Sequence, residues 1–166
     1  NIGKLSNMLA DIFIITGGEP YKIRGLLGGV GSKAIRQFVS NGGKYIGVCA
    51  GVVLATANRP TLDLLQGVQC VNDNIWRDSG LSGRVQLRSS APMSMMKQVL
   101  TKEKMCYLNG PLLKIKKRYL DAIQILCQFQ DYVVPWDPDV TKQEPKKSDM
   151  IDSVAVLVGK YKDGIV

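Results

Sequence analysis

Gly47-Val48-Cys49-Ala50-Gly51 decides the fold class of this chain. Lys44 to Val48 reads as a strand, and Ala50 to Ala57, small and apolar, reads as a buried helix that stops before Pro60. A strand that runs straight into a helix forces the residue at the turn into a strained backbone conformation. Glycines on either side remove the side chains that would clash there. The side chain at the turn is then presented at the carboxyl end of the sheet, where open α/β folds bind ligands. It also meets the N-terminus of a helix, whose partial positive charge favours thiolate over thiol. Cys49 is therefore placed as a nucleophile.

On the N-terminal side, Asp11-Ile12-Phe13-Ile14-Ile15-Thr16 is a continuous apolar run closed by Gly17-Gly18. It predicts a strand buried on both faces, as in a parallel sheet covered by helices. Gly25, Gly28, Gly29 and Gly31 read as a flexible connection. Ser32 is positioned to cap a helix with Ile35, Phe38 and Val39 on one face, ended by Asn41-Gly42-Gly43. Strand, helix, strand, helix at these lengths predicts a doubly wound, flavodoxin-like α/β fold with helices on both faces of a mainly parallel sheet.

The second half predicts added antiparallel strands. Arg84 to Arg88 and Met105 to Leu108 read as strands. Ile123, Ile125, Cys127 and Phe129 alternate with glutamines, with Leu126 breaking the pattern, so one wet face is expected. Pro135 to Lys147 reads as an exposed loop. Ser153 to Val158 is a strand, and Lys162-Asp163-Gly164 supplies hairpin-turn chemistry. The return strand has only Ile165 and Val166, and no strand precedes the helix-like stretch from Ile2 to Ala10. Residues 1–166 are accordingly expected to be a single domain truncated at both ends.

Composition narrows the chemistry. At 166 residues the chain can build one hydrophobic core, and no apolar run reaches the ~20 residues of a membrane span. Its four cysteines are scattered and it has no histidine, so the usual Cys/His zinc spacings are excluded. No metal or cofactor is expected, and free thiols suit the cytoplasm. The net charge of +8 raises a nucleic-acid partner. Yet Lys114, Lys116, Lys117 and Arg118, and Lys142, Lys146 and Lys147, lack interleaved aromatics, and a solvated lysine face is the expectation.

Gly17-Gly18 is the second element of the candidate site. Backbone N–H groups free of side chains can approach a reacting carbonyl oxygen, and with the N–H of Ala50 they would form an oxyanion hole. Cys70, Cys106 and Cys127 read as small core residues. Asn109-Gly110-Pro111, taken alone, marks a turn.

These residues resemble the class I glutamine-amidotransferase-like superfamily from Asp11 to Ala57, and within it the domain at the N-terminus of some biotin–protein ligases. The likeness rests on the strand ending in Gly17-Gly18, on Pro20-Tyr21, and on Ser32-Lys33-Ala34-Ile35-Arg36-Gln37-Phe38-Val39. It continues through Gly42-Gly43-Lys44-Tyr45-Ile46-Gly47-Val48-Cys49-Ala50-Gly51. Tyr107-Leu108-Asn109-Gly110-Pro111 is similar to a segment near the family's pocket, and Val156 to Val166 to its last hairpin. The resemblance implies Cys49 as nucleophile, Gly18 and Ala50 near the oxyanion, and Asn109 and Gly110 beside the substrate. It further implies a small amide or related ligand and a fused or partner ligase domain. It also implies a histidine, oriented by a carboxylate, after the final hairpin; these 166 residues contain none. Two functions follow as expectations: an amidotransferase-like enzyme of unproven activity, inactive as these residues stand, or a non-catalytic ligand-binding or regulatory domain.

Overall fold

The computed structural model describes residues 10–56, 62–71, 82–90, 104–135 and 150–166. Its elements in order are β1 (Ile12–Ile15), α1 (Pro20–Ser40), β2 (Lys44–Gly47), α2 (Ala50–Ala55), β3 (Val68–Cys70), β4 (Ser82–Val85) and β5 (Leu87–Ser89). They continue with β6 (Met105–Leu108), β7 (Leu113–Ile115), β8 (Ile123–Phe129), β9 (Val134–Pro135), β10 (Val154–Tyr161) and β11 (Gly164–Ile165). The fold is mixed α/β of flavodoxin-like type, with a mainly parallel sheet, added antiparallel strands and helices, as the sequence predicts. Two compact units divide the chain. The first is Asn1–Cys70, Ile115–Ile123 and Val158–Val166; the second is Val71–Lys114 and Gln124–Leu157. The helix-like stretch before Ala10, the second lysine cluster and nearly all of the predicted loop to Lys147 lie outside the described residues.

In the first unit β1 and β2 run parallel, in register from Ile12 opposite Lys44 to Ile15 opposite Gly47. β11 lies on the other side of β2, also parallel, and pairs antiparallel with the end of β10. Because strand side chains alternate, this register brings Phe13 and Tyr45 to one face with Ile15. The two rings stack 6.3 Å apart, and Ile15 and Tyr45 are buried. Ile12, Ile14 and Ile46 turn to the other face and are 46%, 56% and 45% exposed. The apolar run predicts burial on both faces, whereas the described residues bury one. A run in which every residue is apolar carries no alternation by which sequence alone could tell the two cases apart.

α1 begins earlier than its sequence suggests. Glu19 is its N-cap, accepting from the N–H of Tyr21 at 3.0 Å, and Pro20 takes the first-turn position, where no N–H is needed. The glycine-rich stretch is helical, not a connection, apart from a break at Gly28 (φ 59°, ψ −169°), a conformation that glycine alone adopts readily. Ser32 lies inside the helix, and its hydroxyl donates to the Gly28 carbonyl at 2.7 Å instead of capping. The C-terminal end follows the sequence reading closely. Gly43 N–H donates to Phe38 O and Gly42 N–H to Val39 O, both at 3.1 Å, with Gly42 at φ 98°. This pair of bonds is the Schellman motif, and it turns the chain directly into β2.

The final hairpin uses Lys162 and Asp163 as its two-residue loop, with Lys162 at φ 54°. Gly164 is already in β11, and its role is contact, not turning. A Cβ there would lie 2.0 Å from the Val39 carbonyl oxygen at the end of α1.

In the second unit β5 pairs antiparallel with β8, from Leu87 opposite Phe129 to Ser89 opposite Cys127. β4 pairs antiparallel with β6 and with β9. Leu87, Tyr107, Leu112, Cys127, Phe129 and Met150 belong to one buried cluster. The alternation from Ile123 to Phe129 is observed, with Cys127 and Phe129 buried and Gln124 exposed. The predicted strand Arg84 to Arg88 is instead two strands broken at Gln86. There the Gln86 N–H donates to the Asp131 carboxylate at 2.7 Å and its carbonyl accepts from Gln130, so a distant loop takes its backbone bonds out of the ladder.

Candidate functional site

Cys49 occupies the turn between β2, which ends at Gly47, and α2, which begins at Ala50. Its backbone is at φ 52°, ψ −105°, on the positive-φ side that residues with a Cβ rarely adopt. Several contacts hold the turn there. The Val48 N–H donates to Ile15 O at 2.9 Å, extending the β1–β2 ladder to the residue before the cysteine. Gly51 N–H closes onto Val48 O at 2.9 Å, and Cys49 O accepts from Val52 and Val53 at 3.1 and 3.2 Å. A Cβ on Gly51 would lie 2.2 Å from Ile15 O, and one on Gly47 would lie 2.7 Å from the Gly51 carbonyl carbon. Both flanking glycines are thus required by close backbone approach.

Gly17 and Gly18 follow β1, and Gly17 lies beside this turn. A Cβ on Gly17 would be 3.6 Å from Cys49 Cβ and 3.9 Å from its Sγ, so the glycine borders the thiol directly. Gly18 is at φ 144°, a second position whose backbone favours glycine. Ala50 is buried at the first position of α2. Gly17, Gly18, Cys49 and Ala50 all belong to the first unit. Asn109 and Gly110 belong to the second, where they follow β6. Asn109 is at φ 46°, and the Gly110 carbonyl accepts a hydrogen bond from the Tyr107 hydroxyl.

Tyr45 is a contributor that the sequence reading passed over as one more strand residue. Only 3% exposed, it donates its hydroxyl to the Gly51 carbonyl at 2.8 Å, and its ring lies 2.9 Å from where a Gly47 Cβ would be. Burial pushes its ionisation well above the ordinary tyrosine value of 10.0, so the hydroxyl keeps its proton. The available signal was its register: two residues before Gly47, it shares the face on which α2 must land.

The four thiols differ in setting. Cys49 and Cys70 are partly exposed, Cys106 is exposed and Cys127 is buried, and none forms a disulfide. Burial raises the Cys127 thiol above its ordinary ionisation range, as suits the core residue predicted. The expectation of a core position for Cys106 is corrected, because it lies on the outward side of β6. Among the described residues no group of three or more His, Cys, Asp and Glu side chains is placed to hold a metal ion. Lys114, Lys116, Lys117 and Arg118 are all exposed, and the Arg118 guanidinium sits 5.0 Å from the centre of the Tyr119 ring. Among the described residues no helix is long and apolar enough to cross a membrane.

The chain is thus an α/β protein with a cysteine just past the carboxyl end of β2. The family described as biotin-protein ligase, N terminal, matches residues 7–59, a stretch that holds β1, α1, β2, Cys49 and α2. No curated protein matches. Among solved structures the chain is similar to Cytoplasmic Protein STM3548 from Salmonella typhimurium, with a TM-score of 0.56 and 11% identity. That similarity covers 99% of this chain and 61% of the other, so this chain spans about three fifths of its length. At that identity the likeness is one of fold.

Proposed function

We propose that this chain is a glutamine-amidotransferase-like domain of the biotin–protein ligase N-terminal type, with Cys49 as the nucleophile of its elbow. The observation that carries the reading is the backbone of Cys49, φ 52° at the β2–α2 turn, inside the stretch matched by the ligase family. In this reading the Cys49 thiolate attacks the carbonyl carbon of a glutamine-type amide, and the N–H groups of Gly18 and Ala50 stabilise the oxyanion. Protonation of the nitrogen lets the carbon–nitrogen bond break, releasing ammonia and leaving a thioester that water cleaves to the acid. The same reading gives the domain a ligase partner, fused or separate, and a cytoplasmic setting.

Proton transfer to the departing nitrogen decides between two versions of this function. General acid–base help is worth roughly 10²–10⁴-fold. No histidine occurs among the 166 residues, so the isolated chain lacks the usual donor. In the second version the elbow is retained in a non-catalytic domain that binds a small ligand or regulates a ligase.

The test has two parts. Cysteine alkylation, resolved by mass spectrometry, is expected to modify Cys49 faster than Cys70, Cys106 or Cys127, and a diazoketone analogue of glutamine is expected to label Cys49. Equal or slower labelling of Cys49 removes the nucleophile from the proposal. An ammonia-release assay with glutamine is expected to show no enzymatic turnover by the 166-residue chain. Turnover that disappears in Cys49→Ala would restore the enzyme.

A further inference from the structure

We propose that Tyr45 is a positioning residue for Cys49, its hydroxyl tying the first turn of α2 to the strand beneath and so holding the cysteine in its strained conformation. The inference rests on the reading of Cys49 as the nucleophile. It begins from an imbalance in the turn. A residue with a Cβ at φ 52°, ψ −105° persists only when its surroundings over-determine it. On the strand side Val48 is fixed by its bond to Ile15 O. On the helix side the Gly51 N–H bonds Val48 O within the turn itself, while its approach to that same Ile15 oxygen, through space left by its missing side chain, permits closeness to the neighbouring strand without enforcing it. The Tyr45 hydroxyl supplies the enforcing bond, 2.8 Å to the Gly51 carbonyl, two residues beyond the cysteine.

Tyr45 is suited to that task by rigidity. It lies in β2, four residues before Cys49, so the bond spans the turn from one side to the other. Its ring is stacked on Phe13 of the adjacent strand and packed against Gly47, which leaves the hydroxyl little freedom to swing. Burial keeps the group protonated and therefore a donor. A buried tyrosine needs a partner for its hydroxyl in any fold. What distinguishes this one is the acceptor, a carbonyl in the first turn of the helix that the cysteine opens. A single ordinary hydrogen bond shifts a two-state population by about fivefold, enough to decide whether a strained turn is the dominant one.

The experiment measures the second-order rate of Cys49 alkylation by iodoacetamide in the 166-residue chain across pH 6 to 9. Tyr45→Phe keeps the ring and removes the donor; its Cys49 rate is expected to fall about fivefold, with Cys70 and Cys106 unchanged. Replacing Tyr45 with 4-aminophenylalanine, which retains a donor at the same place, is expected to restore the wild-type rate. Ile35→Val serves as a control for general destabilisation, because Ile35 is buried in α1 and is not part of the β2–α2 turn. Its Cys49 rate is expected to match wild type. Should Tyr45→Phe fold poorly, its Cys49 rate and that of wild type are both measured in trimethylamine N-oxide, which favours the compact state. An unchanged or faster Cys49 rate in Tyr45→Phe, or an equal fall in Ile35→Val, overturns the proposal. A wild-type Cys49 no faster than Cys106 instead counts against the nucleophile reading, so the two failures are told apart.

Discussion

At Cys49 the chain accepts backbone strain of about 1–3 kcal/mol, the usual range for a residue with a Cβ held in a sparsely populated region. Substitution by glycine relieves that strain, whereas alanine keeps the Cβ and therefore keeps it. Cys49→Gly is accordingly expected to be more stable than Cys49→Ala by about 1 kcal/mol in urea unfolding, opposite to the order at an ordinary helix position. Equal stabilities would mean that the turn relaxes once the sulfur is gone. This part of the site was legible in the sequence, since Gly47 and Gly51 are small for the steric reason that the strand–helix transition implies. The bond from Tyr45 was not, because nothing in a strand's composition says where a tyrosine hydroxyl will find its acceptor.

At the scale of elements, α1 shows where glycine misleads. Gly25 and Gly29 lie within the helix with nothing within 4 Å of an added Cβ, and neither has a positive φ. Gly28 is different, since its φ of 59° and ψ of −169° exclude other residues. Gly25→Ala and Gly29→Ala are each expected to raise stability by about 0.5–1 kcal/mol, and Gly28→Ala to lower it by roughly 1–2 kcal/mol, read from urea midpoints. A stabilising Gly28→Ala would show that the break carries no conformational requirement. Four glycines in seven residues read as a connection because each alone weakens a helix. The cap at Glu19 and the proline after it were the better signals, and they identify the true start. The helix end at Asn41-Gly42-Gly43 was legible because its chemistry is local. The break at Gln86 was not, because its cause is Asp131, 45 residues away.

For the molecule as a whole, Tyr45 also links the site to the pH dependence of stability. Its folded ionisation lies above the unfolded value of 10.0, so the folded state holds a proton that the unfolded state releases at high pH. The contribution is complete below pH 10 and is lost as pH rises above it, by at most about 1.4 kcal/mol per pH unit. Urea midpoints of wild type and Tyr45→Phe are expected to differ by a constant amount up to pH 9 and to converge above pH 10. A difference that stays constant to pH 11 would show that the hydroxyl ionises as freely in the folded state as in the unfolded one.

The position of β11 adds a matter of timing. β2, the strand that leads into Cys49, has β1 on one side almost as soon as it is made, but its other neighbour is Ile165, 121 positions later (165 less 44). At roughly 5–20 residues per second on the ribosome, the cysteine strand spends on the order of 6–24 seconds as an open edge. During that interval its unpaired N–H and C=O groups and the apolar side chains beside them are open to other chains. Gly164, threaded against the end of α1, is the residue that lets the late strand close the gap. Cys49 is thus set in its final frame only once Ile165 has been made, and the protection of its strand until then falls to whatever meets the nascent chain.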